Sequence, residues 1–182
     1  MRTAAKAGRS DIAEIVWDHA LSYTGRRRNN YMQWVPSVKS LKLLFAAYMQ
    51  EAASSKSSTR KCELFEKVVS IYEDIELDDM NKGLTDINIE ELHSKRNVMM
   101  MILTAAVSLE QLEKSRAHDG GSDSRRKLRR IASSLVQLPC LKTKAARSPF
   151  EENIVKTAEG WAEMLSSEIV AVDFELSYQG FD

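Results

Sequence analysis

The chain has 182 residues, with 26 lysines and arginines against 26 aspartates and glutamates, so its formal net charge is zero. A hydrophobic content of 43% and a charged content of 29% exclude a disordered chain, and this length suffices for one domain that buries roughly 70% of its unfolded surface. The apolar stretch 98–103 is far below the roughly 20 residues a membrane-spanning helix needs.

Helical periodicity recurs along the sequence, and the 7 glycines and 3 prolines predict long elements with few turns. A first helix is predicted over residues 10–23, with Ile12, Val16, His19 and Tyr23 on its inner stripe. A polar loop, 25–30, follows it. A second helix is predicted from Pro36, a favoured first-turn position, with Val38, Leu41, Phe45, Tyr48 and Ala52 inward. After a polar turn over 53–58 comes a third helix with Leu64, Val68, Ile71 or Tyr72, and Ile75 inward, ending near Asp78 and Asp79. Short turns make consecutive helices antiparallel.

The fourth helix, 90–116, carries Val98, Ile102, Ala105, Leu109 and Leu112 at alternating spacings of four and three. Met99, Met100, Met101 and Leu103 widen its apolar surface, which predicts packing on most sides. The fifth places Leu128, Ile131, Leu135 and Leu138 on one face and is predicted to end at Pro139. In the sixth, Ser148 reads as an N-cap, Pro149 as the first helical residue and Glu151 as the partner in a capping box. Phe150, Ile154, Ala158, Trp161, Leu165 and Ile169 share its predicted inner face. The expected fold is all-α. Two antiparallel hairpins form a four-helix bundle over 36–138 within a single domain of 1–182. An N-terminal extension, 1–30, holds one helix, a C-terminal helix spans 148–172, and 173–182 form a tail.

The charges are sorted into blocks. Residues 113–147 carry ten basic side chains against three acidic ones, a net +7; residues 63–91 carry −8 and residues 151–182 carry −7. Each block repels itself, so the basic block predicts a polyanion and the acidic blocks a neighbouring subunit or a solvated face. The carboxylates of 73–91 lack the spacing of a calcium loop, and a solvated face is preferred for them over an intersubunit or metal site. Arg116 ends one helix, and Arg125, Arg126, Arg129 and Arg130 begin the next, which gathers at least five guanidiniums at one hairpin end. The planar fork of arginine suits phosphate. The spacing of Arg126, Arg129 and Arg130 at i, i+3 and i+4 predicts one shared face. A solvated basic surface is the plain alternative; nucleic acid is preferred. Few aromatics accompany the arginines, which favours sequence-blind phosphate binding over base stacking.

No catalytic constellation is present, and the chain is not expected to be an enzyme. His19, His93 and His118 are isolated, and no phosphate loop or nucleophile motif occurs. Cys62 and Cys140 form no motif and predict reduced thiols. Ser133, after Arg129 and Arg130, fits a basophilic kinase site and leaves a regulated adaptor as a third reading. The first residues lack the apolar run of a secretory signal.

The order of these features resembles the coat proteins of rigid rod-shaped plant viruses, the tobacco mosaic virus type. Trp34-Val35-Pro36 opens a hairpin whose serine-rich turn ends in Thr59-Arg60, and a second hairpin bears arginines at its end. Arg147-Ser148-Pro149-Phe150-Glu151 then matches an Arg-x-x-Phe-Glu element. The resemblance spans residues 34–151; the inner loop is shorter than in tobacco mosaic virus, and both termini are longer. It implies a capsid protein of the virion and host cytoplasm that binds single-stranded RNA and polymerises into a helical rod. RNA contacts are then expected at Arg60, Arg116, Arg125, Arg126, Arg129 and Arg130. It also implies carboxylates pressed together between subunits, for which Glu73, Asp74, Glu76, Asp78 and Asp79 are the candidates. Protons or calcium would relieve their repulsion; no other cofactor is implied. The runner-up from another class is a non-structural helical RNA-binding protein such as a viral silencing suppressor.

Overall fold

The computed structural model describes the backbone of residues 1–25, 37–74, 89–116, 122–142 and 147–178. Its secondary structure is entirely helical among the described residues: α1 (Arg2–Lys6), α2 (Ser10–Gly25), α3 (Val38–Ser54), α4 (Ser58–Asp74), α5 (Ile89–Arg116), α6 (Ser122–Val136), α7 (Pro139–Lys142) and α8 (Pro149–Tyr178). The all-α expectation is met. The chain divides into two compact units, Met1–Ala105 and Ala106–Asp182, with the division inside α5.

The first unit is built around α3. Ser37 caps it, its Oγ accepting the Ser40 N–H at 3.2 Å. The stripe of Leu41, Phe45, Tyr48 and Ala52 is buried as expected, and Leu44 and Ala47 broaden it. Each fully buried Leu or Phe contributes about 1.5–3 kcal/mol of transfer free energy. The connection 55–57 returns the chain into α4, which packs along α3 and buries Cys62, Leu64, Phe65, Val68 and Val69. The predicted hairpin is therefore present, with its helix starting at Val38; Trp34 and Pro36 lie outside the described residues. So do Ile75, Glu76, Asp78 and Asp79.

Two expectations for the N-terminal region are corrected. It holds two helices, α1 and α2, both packed on α3. Ala4 and Ala5 are small enough to let the short α1 lie close to α3, and both are buried. Gly8 joins the two helices at φ +61, and a Cβ there would meet Gln50 Cγ at 3.1 Å, so glycine suits the position twice over. The inner stripe of α2 is Ser10, Ala13 and Trp17, whereas Ile12 and Val16 are each 40% exposed. Periodicity favoured the aliphatic residues, but close approach to α3 selects the small Ser10 and Ala13, with Trp17 filling the remaining space. Glu14, beside that face, pairs with Lys67 of α4. The Lys67 ammonium lies 5.9 Å from the ring centre of Tyr48. Burial, reinforced by the charge and hydrogen bonding of Glu14, raises the Tyr48 hydroxyl pKa well above the ordinary tyrosine value.

Helix α5, 28 residues and roughly 42 Å long, buries Val98, Met99, Met100, Ile102, Leu103, Ala105, Ala106, Val107 and Leu109. That agrees with packing on most sides; Met101 and Leu112 are half-buried.

In the second unit α6 packs along α8. Leu128 and Leu135 of α6 are buried with Ala132 and Val136, while Ile131 and Leu138 are only half-buried. The apolar face is rotated so that alanine sits at the closest approach. Pro139 does more than end α6: it opens the four-residue α7, its preset φ being suited to a first turn. Helix α8 starts as expected. The Ser148 Oγ accepts the Glu151 N–H at 3.2 Å, and a Glu151 carboxylate oxygen accepts the Ser148 N–H at 2.8 Å. Ile154, Val155 and Ala158 are buried, but Phe150 at the head of the predicted inner face is 59% exposed. The helix continues to Tyr178, six residues beyond the predicted boundary at 172.

Candidate nucleic-acid interface

Helix α6 begins with Asp123 in its first turn, where a carboxylate complements the helix dipole. Its apolar face holds it on α8, and this fixes where the arginines go. Arg125 and Arg129, one turn apart, are 24% and 31% exposed and both reach Glu110 of α5. Arg125 donates to Glu110 Oε1 from Nε at 3.2 Å and from Nη2 at 3.1 Å; Arg129 does so at 3.0 and 2.7 Å. The Glu110 side chain is only 3% exposed, so its charge is compensated by two guanidiniums rather than by water. Arg129 also lies 5.6 Å from the ring centre of Trp161 on α8, within cation–π range. Ser124 adds a bond to Glu113 at 3.0 Å, again tying α6 to α5.

The remaining cations of α6 point outward. Arg126, Lys127 and Arg130 are exposed, with Arg126 and Arg130 one turn apart. This corrects the expectation that Arg126, Arg129 and Arg130 share a face. The true pairing is i, i+4 twice: Arg125 with Arg129 inward, Arg126 with Arg130 outward. The reason is Glu110, a carboxylate within the apolar surface of α5 that needs cationic partners once buried. Its position between Leu109 and Leu112 was the available signal in the sequence. The Arg116 side chain lies outside those described.

Arg60 is drawn into the first hairpin. It donates to Glu51 Oε1 from Nε at 2.9 Å and from Nη2 at 2.7 Å, and to Glu63 Oε2 at 3.1 Å. Glu51 also accepts the Ser10 N–H at 3.2 Å. Partial burial raises the Glu51 pKa, but the bonds from Ser10 and Arg60 outweigh it and hold the carboxyl below its ordinary value. Arg60 thus staples α3 to α4 while staying 39% exposed.

Arg147 donates to the Leu141 carbonyl at the end of α7, and Glu151 is held by the capping box. Of the acidic candidates, Glu73 and Asp74 are exposed in the last turn of α4. Among the described residues no group of three or more His, Cys, Asp or Glu side chains is placed to hold a metal ion, and no helix is long and apolar enough to cross a membrane. The Ser133 hydroxyl is buried, which sets it apart from an accessible kinase site. Comparison with protein-family models, with curated proteins and with solved structures returns no match.

Proposed function

We propose that the chain is a helical capsid protein that binds single-stranded RNA through the outward face of α6 and polymerises into a rod. The observation that carries this reading is the sorting of the α6 arginines. Arg125 and Arg129 neutralise Glu110 and tie α6 to α5, and Arg126, Lys127 and Arg130 are exposed on the same helix as a cation face. Such a face suits phosphates met in any sequence, as a genome-coating protein requires. The hairpin of α3 and α4 and the cap of α8 by Ser148 and Glu151 agree with the coat-protein order of elements. The finer architecture that goes with this reading is a four-helix bundle over 36–138.

In this account the chain acts by binding and not by catalysis. Protons or calcium at carboxylates between subunits, with Glu73 and Asp74 among them, regulate its assembly. The direct test is binding of a labelled homopolymeric RNA across a salt series. Affinity falling steeply with salt and indifferent to base identity supports the reading; no binding at low salt refutes it.

A further inference from the structure

In the first unit α1 and α3, with Ser94 of α5, line an open groove of about 490 Å³. Arg2, Lys6, Lys39 and Lys42 line it, and Leu43 and Ala46 give it an apolar floor. No described carboxylate lines it. Arg2, Lys6 and Lys39 are exposed and Lys42 is half-buried, so the cations form a rim over apolar surface. A phosphate chain alone gains nothing from such a floor, and the groove has no aromatic on which a base could stack. An acidic peptide with apolar side chains satisfies both parts.

The chain contains such a peptide. From residue 157 onward it has six carboxylates and no lysine or arginine. Within 173–182, Asp173, Glu175 and Asp182 are interleaved with Phe174, Leu176, Tyr178 and Phe181. We propose that the α1–α3 groove binds the acidic segment 173–182 of a second copy of this chain. The rim cations would attract the segment over about a Debye length, 8–10 Å in physiological salt, and the floor would take its apolar side chains. The inference rests on the proposed self-assembly only in choosing a second copy as the occupant, and the groove shares no lining residue with the α6 face assigned to RNA.

A charge swap in the full-length protein, free of RNA, tests it by sedimentation. One variant carries Lys39→Glu and Lys42→Glu; the other carries Asp173→Lys and Glu175→Lys. Each alone places like charges on groove and segment, and should self-associate at least about tenfold more weakly than wild type. Mixed, the acidic groove meets the basic segment and the unaltered groove meets the unaltered segment, so association should return. Circular dichroism of each variant checks the fold, and a milder Lys39→Gln, Lys42→Gln variant with an intermediate loss stands in if a reversal unfolds. Failure of the mixture to recover, or variants that associate like wild type, overturns the proposal. So does loss of RNA binding, rather than of self-association, in the Lys39 and Lys42 variant, which would make the groove a nucleic-acid site. RNA binding that persists in both variants while the mixture fails leaves the α6 reading intact and removes only this one.

Discussion

The guanidinium of Arg129 lies 5.6 Å from the ring centre of Trp161, and the same side chain donates to the buried Glu110 at 2.7 Å. An arginine gripped from two sides is part of the scaffold. Arg126 and Arg130 lie one turn apart on the same helix and are both exposed to solvent.

This division predicts two separable phenotypes. Arg126→Ala with Arg130→Ala should leave thermal stability within about 0.5 kcal/mol of wild type. It should reduce the slope of log affinity against log salt by about 0.7 for each lost phosphate contact. Arg125→Ala with Arg129→Ala should cost about 3 kcal/mol or more of stability, because Glu110 is left buried without a counter-charge. Adding Glu110→Gln should recover part of that loss in urea unfolding. Equal destabilisation by both pairs would contradict the division.

The Arg60–Glu51 staple predicts a defect in the first hairpin. Arg60→Ala should cost about 1 kcal/mol, as for a single partly exposed charged hydrogen-bond cluster. The Glu51 carboxyl is lowered from its ordinary 4.5. Its stabilisation is therefore present above that value and is lost as pH falls through the lower folded-state value. Chemical unfolding between pH 6 and 2 should show a shallower acid loss in Glu51→Gln than in wild type, and identical profiles would mean that Glu51 contributes nothing.

At the start of α8, Ser148→Ala should cost about 1 kcal/mol through loss of the cap. The neighbouring Phe150, 59% exposed, should behave differently. Phe150→Ala should leave monomer stability nearly unchanged, and a selective loss of assembly would identify its ring as a subunit contact. A large drop in the unfolding midpoint of Phe150→Ala would instead show that the ring is packed within the subunit.

The acidic run from Glu73 to Asp79 in the sequence, placed between subunits in the proposed rod, predicts assembly that strengthens as pH falls, since protonation relieves like-charge repulsion. Replacing Glu73, Asp74 and Glu76 with Gln, Asn and Gln should let assemblies persist to higher pH in a turbidity titration. Dissociation at the wild-type pH would place these side chains in water.

Much of the helical plan was legible because its causes are local. The capping box at Ser148 and Glu151, the polar connection after Ser54 and the stripe from Leu41 to Ala52 all act within a turn or two. What escaped was set by partners distant in sequence. Whether Ile12 or Ala13 faces inward depends on how closely α2 approaches α3, which no periodicity encodes. Nor could spacing divide the α6 arginines, because the division is imposed by Glu110, 15 residues before Arg125. The short α1 has too few residues for a periodic signal and is held by α3 and the turn at Gly8.

RNA-driven polymerisation is decided by electron microscopy of negatively stained protein with and without single-stranded RNA. Between pH 5 and 8 long rods of uniform width are expected, with length set by the RNA, and they should be lost in the Arg126→Ala, Arg130→Ala variant. Monomers or small closed oligomers that bind RNA without forming rods would contradict it and point to a non-structural RNA-binding protein.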